Sequence, residues 1–462
     1  MATEQETRRE PESGSENSRL DSLFSRMGPT WLAGAIAAGP ATMASLLTAG
    51  AGYGYTLLWI VLLSAVLGAT AQYLATRLGL LTEQGIVSVV EDRLGTKWAW
   101  LLVADTVLAS GLAQLVIMKT VADVSATVTG VDSVVWAVVW ACVLAVGLAG
   151  GGYRVAELGA KVLISLVVLA FVASLVVVPI DAGAAAGGLV PEIPGGQSGA
   201  LAAAGILGGA VHISLVTMQS YTMRAREWTE SESRLANVDV GASMLVAFGV
   251  YSLAIFLVAA SVLRTPDIAA GELTATGAAN ALGPLVGANA KWLFLLGLWG
   301  AAISTLGGNT TVPPYLLADK LGWEQDTSDS RYRAAIVVTA LASIGGVFLG
   351  GSFFSLLVLV LAFGLVGTPF VLVLVLFLLN DPETVSKPNS TVANVGGLVL
   401  VGVTMVTAGS FLQGQVEAGV DDPITLFVVA FAAVLTVAML ALVGLFVRDR
   451  LGTESTTSQS AD

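Results

Sequence analysis

The sequence GGAVH (Gly208 to His212) interrupts a long apolar segment that opens near Ala200, and AGPAT (Ala38 to Thr42) interrupts another that opens near Trp31. The two interrupted segments lie five segments apart along the chain. Helical backbone that unwinds inside a bilayer leaves N–H and C=O groups without partners, which is tolerated only where they line a cavity or bind something. Paired interruptions of this kind are the best sequence indication of a transporter's substrate site. The pattern therefore predicts a protein that moves a small solute across a membrane.

Composition places the chain among polytopic membrane proteins. Of its 462 residues, 55% are hydrophobic and 12% are charged, and its mean hydropathy is +0.82. A soluble protein would have about twice that share of charge. Apolar stretches long enough to cross a hydrocarbon core of about 30 Å recur from end to end. We expect an all-α fold with about twelve transmembrane helices, near residues 31–49, 54–80, 98–128, 133–149, 155–178, 200–223, 237–263, 289–315, 333–349, 353–379, 392–411 and 424–447.

The chain is predicted to hold a transporter core between two short tails. Residues 1–30 are polar, lack the apolar region of a signal peptide, and are typical of a disordered cytoplasmic tail. Residues 31–379 form the ten-helix core, 380–447 add two transmembrane helices, and 448–462 form a second cytoplasmic tail. With the N-terminus inside, 18 Lys and Arg residues fall on the cytoplasmic side and 3 outside. This bias predicts a multi-pass protein of the plasma membrane with both termini cytoplasmic.

The two halves of the core are expected to be inverted repeats. Five segments separate the breaks, and an odd number of crossings reverses the direction of the chain. Residues of about 31–178 and 200–379 therefore form repeats of five helices each, and each repeat opens with an interrupted helix. Half-helix ends at such breaks direct N–H dipoles and free carbonyls toward the membrane midplane, where a solute can exchange its hydration for them.

The stretch GPTWLAGAIAAGPATMASLLTAGAGYGYTLLWIVLLSAVLGATAQYLATRLGLLTEQG (Gly28 to Gly85) opens the apolar part of the chain. It resembles the opening of the Nramp family of divalent-metal transporters. In that family a broken first helix is followed by a Gly-rich turn, a Gly-Tyr-Thr-Leu-Leu-Trp start to the second helix, and an Ala-x-Arg-Leu-Gly end. The resemblance implies a LeuT-like fold in which helices 1 and 6 are unwound around a central site. The resemblance continues through GGAVHISLVTMQSYTMR (Gly208 to Arg224) and extends more loosely through GGNTTVPPYLLADKLG (Gly307 to Gly322).

Several of the family's metal ligands are replaced here. The family's first break reads Asp-Pro-Gly-Asn, and its Asp and Asn bind the metal. The residues of this chain that align with them are Gly39 and Thr42. The family's Met-Pro-His in the sixth segment aligns with Ala210 to His212, so the thioether that favours soft metals is absent. A second family histidine aligns with Thr217, whereas Arg224 keeps the basic residue at the end of that segment.

The titratable candidates within the membrane are His212 and Asp105. The acidic pair that the family uses for proton transfer in the third segment aligns with Gly111 and Gln114, which cannot carry a proton as carboxylates do. His212 could ligate a metal, hydrogen-bond a substrate, titrate during transport, or pack against a carbonyl. Asp105 could carry a proton or a cation, or pair with Arg154.

These residues define the expected site. A bare divalent cation would be poorly compensated at breaks that hold no acid, and His212 is the only candidate side-chain ligand for a metal. The resemblance implies a secondary transporter, nominally for metal cations, with altered selectivity. The alternatives are a carrier of a small organic or neutral solute on the same fold, and a non-transporting membrane sensor or scaffold. The expected substrate contacts are Gly39, Thr42, Ala210, His212 and Thr217, and the candidates for proton or ion coupling are His212, Asp105 and Arg224.

Other classes of protein are excluded by composition and motifs. The chain has no enzyme signature and no Walker A sequence, so the energy for transport must come from an ion or solute gradient. A net charge of −12 is opposite in sign to the basic surface with which proteins bind nucleic acids. The single cysteine, Cys142, excludes a disulfide within the chain. No cofactor is expected, the expected partners are membrane lipid and a small ion or solute, and the oligomeric state stays open.

Overall fold

The computed structural model describes residues 39–150, 154–264, 273–419 and 423–459. Within these residues the chain forms helices and short connections and has no β-strand. Eleven of the described helical stretches are long and apolar enough to cross a membrane. The first of them, Pro40–Thr82, contains two helices joined by a 3-10 turn at Gly54–Leu57, so the eleven stretches hold all twelve predicted segments. The all-α, polytopic fold class is confirmed.

The α-helices of the described residues are numbered here in chain order. A π-helical turn at Ala242–Phe248 joins two of them in the seventh segment. Their bounds are α1 Pro40–Tyr53, α2 Leu58–Thr82, α3 Ile86–Leu94, α4 Thr96–Thr129, α5 Ser133–Gly150, α6 Arg154–Val177, α7 Ala182–Gly187, α8 Gln197–Val211, α9 Ile213–Ala225, α10 Ser233–Gly241, α11 Gly249–Val262, α12 Ala275–Ala279, α13 Gly283–Val286, α14 Ala290–Thr310, α15 Val312–Leu321, α16 Ser330–Ala342, α17 Phe353–Val366, α18 Thr368–Leu379, α19 Thr391–Ala418 and α20 Pro423–Gln459.

The sixth and tenth segments occupy the centre of the bundle. The most apolar parts of α8–α9 and of α17–α18 are each 89% buried, whereas those of α5 and α20 are only 22% buried. Helix α8 packs against α1, α2, α17 and α19, while α14 packs against α4 and α6. Segments that are apolar on every side and buried on every side can only lie at the core of a bundle. The peripheral helices α5 and α20 therefore present apolar side chains to lipid.

The sixth segment is broken at one residue. His212 is extended (φ −53°, ψ 138°) between α8, which ends at Val211, and α9, which begins at Ile213. The break is narrower than the predicted interruption, because Gly208 to Val211 stay helical. The glycines serve packing instead of unwinding, since a Cβ at Gly208 would overlap the backbone carbonyl of Leu361 in α17.

The first segment is described only from Gly39. Gly39 is extended (φ −63°, ψ 177°) and α1 begins at Pro40, a first-turn position where the missing N–H costs no hydrogen bond. The predicted break therefore reaches Gly39 but not Thr42, which lies within α1. Trp31 to Ala38 lie outside the described residues.

The tenth segment has an interruption that the sequence analysis did not predict. Gly367 separates α17 from α18, and Pro369 follows two residues later. Proline supplies no N–H to the preceding turn, so the helix is weakened at this point. The tenth segment is thus interrupted in the same central part of the bundle as the sixth.

The two predicted tails fall largely outside what can be described. Residues 1–30 are among those that the structure does not describe. At the other end, α20 continues as helix to Gln459, so the segment predicted as a tail from residue 448 is helical that far.

Candidate functional site

A cavity of about 310 Å³ lies where the start of α1, the break between α8 and α9, and helices α4, α14 and α17 meet. Gly39 and Thr42 line it from the first segment, and His212 lines it from the sixth. The two predicted breaks therefore meet at one central cavity, as the inverted-repeat reasoning requires. The other polar side chains on its wall are Ser214, Thr222, Thr305 and Asn309, and the remaining lining is apolar or glycine.

His212 both ends one half-helix and caps the next. Its Nδ1 accepts a hydrogen bond from the backbone N–H of Ser214 (3.2 Å), which satisfies one of the free donors at the start of α9. A neutral imidazole that accepts at Nδ1 carries its hydrogen on Nε2. Nε2 has no hydrogen-bond partner and lies against Gly364 of α17. The N–H at Nε2 is therefore buried against α17, and His212 can bind a bare metal through Nδ1 only by giving up the helix cap.

Asn309 offers an oxygen to the cavity. Its Nδ2 donates to the carbonyl of Ser110 (2.7 Å) and to Oε1 of Gln114 (3.1 Å), both in α4. The amide of Gln114 is fixed in turn, because its Nε2 donates to the hydroxyl of Thr310 (2.6 Å). With both Asn309 donors used on α4, the amide oxygen is the group left for the cavity. Gln114 joins two helices and does not line the cavity.

Thr42 brings the first and sixth segments into close contact. A Cβ at Gly209 would lie 2.7 Å from Oγ1 of Thr42, so only glycine allows this approach. Thr42 itself is 2% exposed. The family's amide at this position is thus replaced by a hydroxyl that sits on the cavity wall beside α8.

Three of the predicted site residues, besides Asp105, lie away from the cavity. Ala210 is fully buried, with its Cβ packed toward Gly68 of α2. Thr217 is also buried, and its hydroxyl donates to the carbonyls of Ile213 (3.0 Å) and Ser214 (3.3 Å) within its own helix. Arg224 is exposed at the end of α9. The break at a single residue explains the difference, because α8 stays helical and turns Ala210 toward α2.

Asp105 lies in α4, outside the cavity lining. It is 2% exposed, its carboxylate packs against Gly367 at the interruption of the tenth segment, and its Oδ2 has no hydrogen-bond partner. An unpaired charge in a bilayer interior costs roughly 2.5 kcal/mol or more. The pairing with Arg154 that the sequence left open involves a side chain outside the described residues.

Thr368 donates a hydrogen bond to a backbone carbonyl that the break in the sixth segment leaves without a helical partner. Its hydroxyl donates to the carbonyl of Val211 (2.8 Å), one of the last four carbonyls of α8, which have no helical partner. The sequence analysis did not identify this residue as part of the site. The Gly-Thr-Pro run from Gly367 was the available signal, because glycine followed closely by proline marks a helix boundary.

Ion pairs cluster at the end of the bundle that the charge bias predicts to be cytoplasmic. Lys320 of α15 donates to both carboxylate oxygens of Glu91 in α3 (2.8 Å each). This hydrogen bond, together with one from Thr96, holds the pKa of the Glu91 carboxyl below its usual value. Asp319, next to Lys320, accepts from the hydroxyl of Tyr221 in α9 (2.7 Å). These contacts tie the short helix α3 to the second half of the sixth segment.

The ligand set at the cavity is neutral. Within the described residues no three His, Cys, Asp or Glu side chains lie close enough together to hold a metal ion. The polar groups of the described residues on its wall are hydroxyls, the amide oxygen of Asn309 and the imidazole of His212, and Met218 adds a thioether. A site of this kind can exchange hydrogen bonds with a hydrated or neutral solute, but it supplies no charge to balance a stripped divalent ion.

Comparison with known proteins identifies the family. The Nramp family profile, described as natural resistance-associated macrophage protein-like, matches residues 30–413. The divalent metal cation transporter MntH of Mycobacterium tuberculosis is 26% identical over 315 residues, which cover 64% of this chain and 71% of that protein. MntH of Deinococcus radiodurans is 27% identical over 313 residues, covering 63% and 69%. A crystal structure of a variant of the Eremococcus coleocola manganese transporter shares the fold, with a TM-score of 0.72 over 96% of each chain at 18% identity. The match over most of the sequence and the shared LeuT-like fold, with its broken sixth helix, show that the chain belongs to the Nramp family of membrane transporters and is not an enzyme.

Proposed function

We propose that this chain is a secondary transporter of a metal cation and that the cation enters the cavity with part of its water shell. The observation that carries the proposal is the neutral lining, whose polar side chains among the described residues are Thr42, His212, Ser214, Thr222, Thr305 and Asn309. These groups can bind coordinated water as well as they bind an ion. The selectivity would then differ from that of the relatives whose names refer to divalent metals and manganese.

The identity of the missing ligands supports a hard, hydrated cation over a soft one. Gly39 stands where the family has Asp, so no carboxylate faces the cavity, and Ala210 replaces the thioether position and faces α2. Magnesium gives up water reluctantly and keeps several waters when bound. Imidazole and thioether ligands suit iron and softer metals, and each is present once on the wall, in His212 and Met218, but the Nδ1 of His212 is already used on the helix cap.

The size of the cavity agrees with that choice. One water occupies about 30 Å³ in the liquid, so 310 Å³ can hold about ten waters. An octahedral ion with six waters fits within that volume. A bare ion held directly by protein side chains needs less space than this.

Uptake into proteoliposomes tests the proposal. Full-length protein would be assayed with magnesium, manganese and a neutral amino acid, each under an imposed gradient. We expect uptake of a divalent cation, and we expect Thr42→Val to reduce it about fivefold, because one hydrogen bond of about 1 kcal/mol is lost. Thr217→Val is the matched control, since it removes a hydroxyl that bonds only within α9.

Each outcome separates the proposal from an alternative. Amino-acid uptake without cation uptake would favour a carrier of small organic solutes on the same fold. No uptake of any substrate by folded protein would favour a sensor or scaffold. Equal loss of uptake in both threonine variants would show that the cavity is not the cation site.

We further infer that the protein lies in the plasma membrane with both termini cytoplasmic. The inference rests on the distribution of Lys and Arg, 18 against 3, across the predicted loops. Cysteine labelling from either side of the membrane, in a variant without Cys142 and with a single cysteine introduced at Ser328, would test it. Ser328 lies in the exposed connection before α16.

A further inference from the structure

Asp105 is a buried acid that the cavity does not use. It is the tenth residue of α4 and 2% exposed, and its carboxylate lies against Gly367, where the tenth segment is interrupted. Oδ2 has no hydrogen-bond partner. Ionisable residues within membrane segments are costly and are by default functional candidates. The position of this one beside a helix interruption calls for an explanation beyond packing.

Residues of α17, together with Gly367 just after its end, lie between Asp105 and the cavity. Leu361 lines the cavity, Gly364 contacts the imidazole of His212, and Gly367 contacts the carboxylate of Asp105. These residues are three apart, so they stack on successive turns of the helix. Six residues at 1.5 Å each place Asp105 about 9 Å along the helix axis from the cavity wall. Thr368, next to Gly367, bonds to the carbonyl at the break of the sixth segment.

No other charged group compensates Asp105 in the described part of the chain. Helix α4 packs against α3, α5, α9, α14, α15, α17 and the 3-10 turn Ser343–Phe348. Helix α17 and the 3-10 turn carry no titratable side chain, and none on the others forms an ion pair or a hydrogen bond with Asp105. The titratable groups on those helices and on α4 itself are Glu91, Asp92, Arg93, Lys97, Lys119, Asp123, Cys142, Tyr221, Arg224, Lys291, Tyr315, Asp319 and Lys320.

We propose that Asp105 holds a proton while the cavity is empty and releases it to water when a cation occupies the cavity. The carboxylate then supplies the negative charge that the cavity lining lacks. The step breaks one O–H bond and leaves one carboxylate, and the proton passes to solvent, so a bound cation exchanges for a proton. This inference rests on the proposed cation binding and names the group that balances its charge. The proton site is distinct from the residues that face the cargo.

The exchange predicts a linkage between pH and affinity. Because binding releases a proton, raising the pH tightens cation binding by up to about tenfold per pH unit while Asp105 is protonated in the empty protein. Titration calorimetry of the full-length protein in detergent, with magnesium or manganese chloride alone, would measure it. Two buffers of different ionisation enthalpy report the number of protons released.

Variants assign the released proton to Asp105. We expect about one proton released per cation in the wild type and none in Asp105→Asn, whose affinity is then independent of pH. Asp123→Asn is the matched control, because Asp123 lies on the same helix and is paired with Lys119 (3.2 Å). It should keep both the proton release and the pH dependence.

The outcomes separate this inference from the proposed function. Cation binding without proton release in the wild type, or an unchanged pH slope in Asp105→Asn, would overturn the inference and leave cation transport intact. Absence of binding by either metal at every pH would overturn the cation function, and the inference with it. Proton release by the wild type is measured without any variant, so its absence would overturn the inference even if Asp105→Asn does not fold.

Discussion

Alanine at Gly364 tests whether His212 faces the cargo. A Cβ at this position would overlap Nε2 and Cδ2 of the imidazole, so the ring must move by about the radius of a methyl group, roughly 2 Å. Overpacking of this kind costs about 1–3 kcal/mol of stability. Moving the ring this far would break a hydrogen bond between His212 and the cation's bound water, which is worth about 1 kcal/mol or more. We therefore expect Gly364→Ala to fold with a lowered melting temperature and to bind the cation at least about tenfold more weakly, or 1.4 kcal/mol.

Calorimetry for binding and thermal unfolding in detergent for stability provide the assay. Gly402→Ala in α19 is the matched control, because nothing lies within 4 Å of the Cβ it would add. That variant should keep wild-type affinity and a stability within about 0.5 kcal/mol. If Gly364→Ala loses stability but binds the cation as the wild type does, His212 does not contact the cargo and the reasoning is refuted.

Three further predictions concern contacts at the breaks and at the end of the bundle that holds Glu91 and Lys320. Gly39→Asp should tighten manganese binding at least about tenfold by calorimetry, because it places a carboxylate on the cavity wall at a helix N-cap; unchanged affinity would exclude Gly39 from the site. Thr368→Val should lower the free energy of unfolding by about 1 kcal/mol by leaving the carbonyl of Val211 unpaired, whereas Thr368→Ser should not. Because the pKa of Glu91 is depressed by Lys320, its contribution is present above about pH 4.3 and is lost as the pH falls through the lowered value. The melting temperature of Glu91→Gln should therefore fall less on acidification, and an equal fall would show that the pair does not stabilise the bundle.

The architecture was predictable because it depends on the length and position of apolar stretches. A membrane allows only helices of sufficient length, so the segment near 353–379 and the helices Phe353–Val366 and Thr368–Leu379 share the same bounds. The two breaks were located from glycine and proline, and both lie on the central cavity. The distribution of Lys and Arg was a further constraint on the prediction, because twelve crossings leave 18 of them on one predicted side and 3 on the other.

The details of the site were less predictable because glycine serves two purposes. At Gly208 and Gly209 the absent Cβ allows close packing against Leu361 and Thr42, and the helix continues through both. The same residues in sequence are equally consistent with unwound backbone. Which way Ala210 faces depends on where the helix ends, so its place against α2 could not be derived from spacing. The contact of Asp105 with Gly367 joins segments far apart in sequence and leaves no local pattern.

The neutral cavity lining and the unpaired carboxylate oxygen of Asp105 in α4 both bear on how the charge of a bound cation is balanced. A divalent ion 4 Å from a carboxylate at an effective dielectric constant of 20 gains about 8 kcal/mol, whereas at 10 Å it gains about 3 kcal/mol. A carboxylate at Asp105 therefore supplies less than half of what one at Gly39 would. The smaller gain cannot compensate an ion for the loss of all its water, but it suffices for an ion that keeps most of its hydration. Transport also requires that the ion leave again, which a weaker attraction makes easier. Moving the acid from the break to α4 is thus the arrangement expected for a hydrated cargo, and Asp105→Asn combined with Gly39→Asp should restore a site that prefers manganese.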